Sequence, residues 1–306
     1  MTTETPPGLY ALGLVRGGVH RIDLDTGAID NLATGIEEAP DGIAVDAVNG
    51  YVYFTLMGRP DTPLTPSHEP PFTTRNGSIQ RVPVTGGAPE IVVPRGCFTT
   101  GKQLARDPGS ERLYWCDREG GAVYRCERDG SEAVPLISNA ASDLPPAERE
   151  CVGIAIDTSN GWLYWTQKGP ADGGKGRILR ACLEIPEDAT AQTRRDIEVL
   201  WDGLPEPIDL ELDAEHQTLY WTDRGAPPNG NTLNRAPVPG WGQKATAPEI
   251  IADGFREPIG VALNLPEDVA YVSDLSGSIS RVDLSTGKSG VVAVLGGAAT
   301  GIALVR

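Results

Sequence analysis

The stretch Pro207-Ile208-Asp209-Leu210-Glu211-Leu212-Asp213, followed by Leu219-Tyr220-Trp221-Thr222-Asp223, sets the architecture because both halves recur. The second half, apolar and aromatic, returns as Leu9-Tyr10-Ala11, Val52-Tyr53-Phe54-Thr55 and Leu113-Tyr114-Trp115-Cys116-Asp117. It is found again as Leu163-Tyr164-Trp165-Thr166-Gln167 and Ala270-Tyr271-Val272-Ser273-Asp274. The first half returns at Pro40–Asp46, Gly101–Asp107, Cys151–Asp157, Pro258–Asn264 and, with no second half behind it, Ala299–Leu304. Copies spaced roughly 40 to 60 residues apart mark a repeat fold with one supersecondary unit per copy. A third segment alternates apolar and polar residues, as in Gly18–Leu24, Gly77–Val82 and Gly277–Leu284, and reads as a half-buried strand. A looser fourth, such as Glu249-Ile250-Ile251-Ala252, closes the unit. Four strands joined by turns make one propeller blade.

Phase predicts how the ring closes. The chain starts at a second strand and stops at an orphan first strand, so residues 299–305 should complete the blade built by residues 8–36. Closure of that kind removes the open edges that invite aggregation. The expected fold is therefore all-β: a six-bladed propeller of four-stranded blades over residues 8–306, with residues 1–7 as a disordered tail. Leu219–Asp223 and its variants resemble the YWTD repeat, the class B repeat of low-density-lipoprotein receptors, over essentially residues 8–306. That resemblance implies a six-bladed propeller and a protein-interaction scaffold. It also implies blade-to-blade hydrogen bonding by Asp117, Asp223 and Asp274. The architecture is similar as well to gluconolactonase/regucalcin-like and strictosidine-synthase-like propellers, a likeness of fold alone.

Composition excludes several function classes. Lys+Arg number 26 against Asp+Glu 42, a formal charge of −16, and no basic stripe offers a nucleic acid its phosphate contacts. An anionic membrane surface is excluded on the same ground, and no apolar run approaches the roughly 18 residues of a spanning helix. The first residues carry neither a basic start nor an apolar stretch, and the five cysteines lack C-x-x-C spacing, which points to a reducing cytoplasm rather than a disulfide scaffold; a monomer is expected. The three histidines are scattered, so no metal site or cofactor is expected. Gly169–Gly176 approaches a phosphate-binding loop, but no Ser or Thr follows Lys175 and the next segment reads as strand.

The site is expected where loops gather. Loops entering first strands and loops joining second to third strands share one face, and insertions such as 59–75, 139–149, 168–175 and 225–231 fall there. At the glycine position of the first strand the repeat gives Gly42, Gln103, Gly153, Asp209, Gly260 and Gly301, so Gln103 and Asp209 are polar departures. Such departures cost packing unless they find partners. Next to this position stand Asp41 and Lys102, and just before the strands stand Glu150, Glu206 and Glu257. These glutamates read either as solvated rim residues or as a polar ring for a polyhydroxy, amine or ionic ligand. The favoured reading is a small-molecule pocket at the axial mouth, with metal-independent hydrolysis, elimination (a lyase) or isomerisation as the chemistry such a site would perform. In it Lys102, Glu206 and Asp209 are the catalytic candidates, and Asp41, Gln103, Glu150, Glu257 and His68 the substrate-binding ones. A protein-interaction scaffold using the same face is the alternative.

Overall fold

The computed structural model describes residues 5–15, 17–62 and 70–306. Six four-stranded antiparallel sheets form the blades. The first blade holds β1 (Gly8–Gly13), β2 (Gly18–Ile22) and β3 (Ile29–Thr34), completed on its inner edge by β24 (Ala299–Val305). The C-terminal strand runs antiparallel to β1, pairing Leu304 with Leu9 and Ile302 with Ala11, which is the closure the repeat phase predicts. The other innermost strands are β4 (Pro40–Asp46), β8 (Gly101–Arg106), β12 (Cys151–Asp157), β16 (Pro207–Asp213) and β20 (Pro258–Asn264). Among the described residues no helix is long and apolar enough to cross a membrane.

The motif aromatics are core. Trp115, Trp165, Trp221, Tyr53, Tyr114 and Tyr164 are buried between neighbouring blades, each large ring contributing about 2–3 kcal/mol by leaving water. The motif threonines do something more specific. In all six blades the ladder between first and second strand slips at the glycine position, for example between Cys151 and Ile154. Into that gap the motif hydroxyl inserts. Thr166 Oγ1 accepts the Gly153 amide hydrogen at 2.7 Å and donates to Ile208 O of the next blade at 2.8 Å. Thr55 links Gly42 to Lys102 O and Thr222 links Asp209 to Ile259 O in the same way, with Ser273 joining Gly260 to Thr300 O. Cys116 donates a longer thiol bond to Gly153 O at 3.3 Å.

The blade-to-blade bonds therefore run through the motif hydroxyl, which corrects the role implied for the aspartates. Asp117 instead accepts the amides of Thr99 and Thr100, Asp223 that of Glu206, and Asp274 that of Arg256. Each carboxylate pins the segment leading into its own blade. The glycine position has an equally plain cause in the blades that keep it: a Cβ on Gly153 would lie 2.0 Å from Ile208 O, and one on Gly42 2.4 Å from Lys102 O, so the adjacent inner strand leaves no room for a side chain there.

Candidate functional site

Around the axis, the residues one step before the glycine position form a closed layer. Val152, Ile208 and Ile259 pack together from three blades, while Asp41, Lys102 and Thr300 occupy the other three, all buried. Lys102 Nζ lies 2.5 Å from Asp41 Oδ2, and Gln103 Nε2 donates to Asp41 Oδ1 at 3.3 Å. The axial mouth is thus plugged. Asp209 sits one residue deeper, and its carboxylate spans the seam between β16 and β20, accepting from Leu210 N at 2.9 Å and Val261 N at 3.0 Å. Burial pushes its pKa well above the usual carboxylate range. Beneath the plug a cavity of about 340 Å³ holds Gln103, Arg106, Asp209 and Glu211, and burial there pushes the Glu211 carboxyl up to about 7.

The larger cavity lies off the axis, on the face where the insertions gather. It measures about 830 Å³, and none of the plug residues lines it. Its walls come from Pro70–Thr73 of the second blade, Arg118–Gly121 of the third, and Lys168 and Ala171 of the fourth. Arg224 of the fifth blade and the segment 139–150, with its single helical turn α1 (Pro146–Arg149), complete it. Asn139 Nδ2 and an Arg177 guanidinium nitrogen hold that segment by donating to Arg149 O and Glu148 O.

Oppositely charged groups alternate along this wall. Arg118 pairs with Glu119 at 2.7 Å; Lys168 Nζ lies 3.1 Å from Glu150 and 3.7 Å from Glu206; Arg224 Nε donates to Glu206 at 2.8 Å. Burial raises the Glu150 pKa, with Lys168 and Arg118 opposing. The candidates taken from sequence therefore separate. Glu150 and Glu206 belong to this arc, Lys102 and Asp41 to the plug, and Gln103 and Asp209 to the layer below. Glu257 faces solvent from a left-handed backbone (φ 55°), its amide held by Asn231 Oδ1. His68 lies outside the described residues. Sequence reasoning missed Arg118, Lys168 and Arg224, although each directly follows the motif in three consecutive blades.

Comparison with known proteins bears on the fold and the family. The low-density lipoprotein receptor-related protein 1 of Pyricularia oryzae is 40% identical over 292 residues, covering 92% of this chain and 90% of that protein. The chain belongs to the low-density-lipoprotein-receptor-related YWTD propeller family. The 3-hydroxyacyl-CoA dehydrogenase-like protein LAM1 of Cochliobolus heterostrophus is 38% identical over 80% of the chain, which spans 51% of that relative's length. Among solved structures, a nidogen/laminin complex contains a propeller with a TM-score of 0.72 at 20% identity, covering 98% of this chain and 99% of that one. Gluconolactonase and regucalcin propellers share the architecture at 16% identity. No family model matches the sequence.

Proposed function

We propose that this protein is a ligand-binding propeller whose working site is the off-axis pocket over its second to fifth blades, sized for a small molecule. The observation that supports this most is the arc Arg118–Glu119–Glu150–Lys168–Glu206–Arg224, charged groups largely withdrawn from water around a cavity of about 830 Å³. That volume lies within the range of small-molecule sites, and converging polar groups in a rigid cavity fix orientation. Glu150 is the group best suited to move a proton, since burial brings its pKa nearer neutrality than an ordinary carboxylate. Lys102 and Asp209, removed from this wall, act in the reading as supports for the seams around the axis. The test is a metabolite screen by thermal shift on the protein and on Ala171→Trp, which fills the pocket from its exposed rim. Ligands that stabilise the first and not the second support the pocket; ligands indifferent to the tryptophan refute it.

A second reading, a protein-binding scaffold on the same face, is favoured by family membership and by the nidogen/laminin neighbour. It predicts that pull-downs on the Ala171→Trp variant lose a protein partner while no small molecule shifts the melting temperature of either form.

A further inference from the structure

The cavity beneath the plug, about 340 Å³, is walled by all six innermost strands. Two residues past the glycine position those strands carry Ala44, Ala105, Ala155, Ala262 and Ala303, and in the fifth blade Glu211. A carboxylate in an alanine layer costs stability unless a partner or a function offsets it. Among the described residues Glu211 makes no hydrogen bond or ion pair. Gln103 lines the same space and is only 3% exposed; its Nε2 reaches Asp41, while its amide oxygen accepts no hydrogen bond among the described residues. Asp209 has both oxygens committed to the backbone amides of Leu210 and Val261. Arg106, the basic residue of the described lining, is held by Asp46 at 3.1 Å and Glu111 at 3.6 Å. The uncommitted side-chain groups are thus a carboxylate and an amide oxygen, both acceptors. One residue farther from the plug, Val45, Ile156, Leu212 and Leu304 give the cavity apolar walls.

We infer that this axial cavity is a second binding site, which takes a short-chain primary amine as its ammonium ion, the nitrogen on Glu211 and Gln103 and the alkyl chain along the apolar residues beyond. An ammonium carries three donors around a compact charge. They match the carboxylate, the amide oxygen and a backbone carbonyl from the axis-facing edge of an inner strand, since each inner strand has a ladder on one side only. The volume is near the lower end of small-molecule sites, which suits a ligand of few atoms. Burial raises the Glu211 pKa to about 7, and an entering cation favours the ionised form that burial disfavours. A divalent metal ion needs about six to eight oxygen ligands and would find a single uncommitted carboxylate. An anion would face Glu211 and Asp209 at close range.

The experiment is isothermal titration calorimetry at about pH 8 with three probes of one shape, n-butylammonium, 1-butanol and butyrate. The proteins are the wild type, Glu211→Gln, Glu211→Ala and Ala171→Trp. Glu211→Ala installs the residue that the other five blades carry, so it keeps the fold. Butylammonium should bind the wild type about tenfold or more tightly than the alcohol or the carboxylate. The preference should vanish in both Glu211 variants and stay unchanged in Ala171→Trp, which obstructs the upper pocket alone. Butanol or butyrate binding as tightly as butylammonium overturns the ammonium assignment. Butylammonium binding that survives both Glu211 variants, or is lost in Ala171→Trp, overturns the assignment to the axial cavity, as does failure of butylammonium to bind the wild type.

Discussion

Replacing Thr166 by valine removes one oxygen and leaves the side-chain volume almost unchanged. In the folded protein that oxygen serves two buried backbone groups, the Gly153 amide and the Ile208 carbonyl of the next blade. Each is left without a partner, at about 1–3 kcal/mol apiece, so the variant should lose about 3 kcal/mol. Unfolding entropy of about 2.1 cal/mol/K per residue over 306 residues makes that a drop of about 5 °C in melting temperature. Thermal melts followed by tryptophan fluorescence give the readout, with Thr246→Val, an exposed threonine outside the motif, as the control. A Thr166→Val protein that melts within about 1 °C of the control would refute the view that the motif hydroxyl joins the blades.

Other perturbations probe closure, the channel and the seam. Deleting residues 300–306 strips the inner strand from the first blade and should yield aggregated protein; a monomeric product melting like the intact chain would break the closure assignment. Glu211, raised from its usual 4.5 to about 7 by burial, holds its proton more tightly when folded, so its contribution is fully present below about pH 4.5 and is lost as pH rises through 7. Glu211→Gln should therefore flatten the melting temperature between pH 5 and 8, relieving a loss of at most about 3 kcal/mol, and an unchanged profile would contradict the channel placement. Asp209→Asn leaves one of two buried amides without an acceptor and should cost about 1–2 kcal/mol while ligand affinity in the upper pocket stays unchanged; lost binding with intact stability would return Asp209 to the site.

Strands and closure were legible because both depend on local signals. Alternation in Gly18–Leu24 and the orphan segment at residue 299 each act within a few residues. Asp46, Asp107, Asp157 and Asp213, at the ends of the repeated first half, accept amides of their own strand 1–2 turns. The site was less legible because depth along the axis changes within single steps of one strand. Glu206, Ile208 and Asp209 are near neighbours in sequence, yet one lines the charged arc, one plugs the axis and one bridges a seam below it. Nor does composition distinguish Glu257 from Glu206. What separates them is the residue after the motif, Leu275 in one blade and Arg224 in the other, whose amides bond back to Glu257 O and Glu206 O. The basic run Arg118, Lys168 and Arg224 was the available signal, readable only once the blades are aligned side by side.

The most direct measurement is a crystallographic soak of the protein with a diverse set of small fragments, recording where bound density clusters. Fragments should gather in the cavity between Arg118, Glu150, Lys168 and Arg224. Fragments that leave that cavity empty and occupy the lower axial cavity around Gln103 and Glu211 would contradict the placement of the working site.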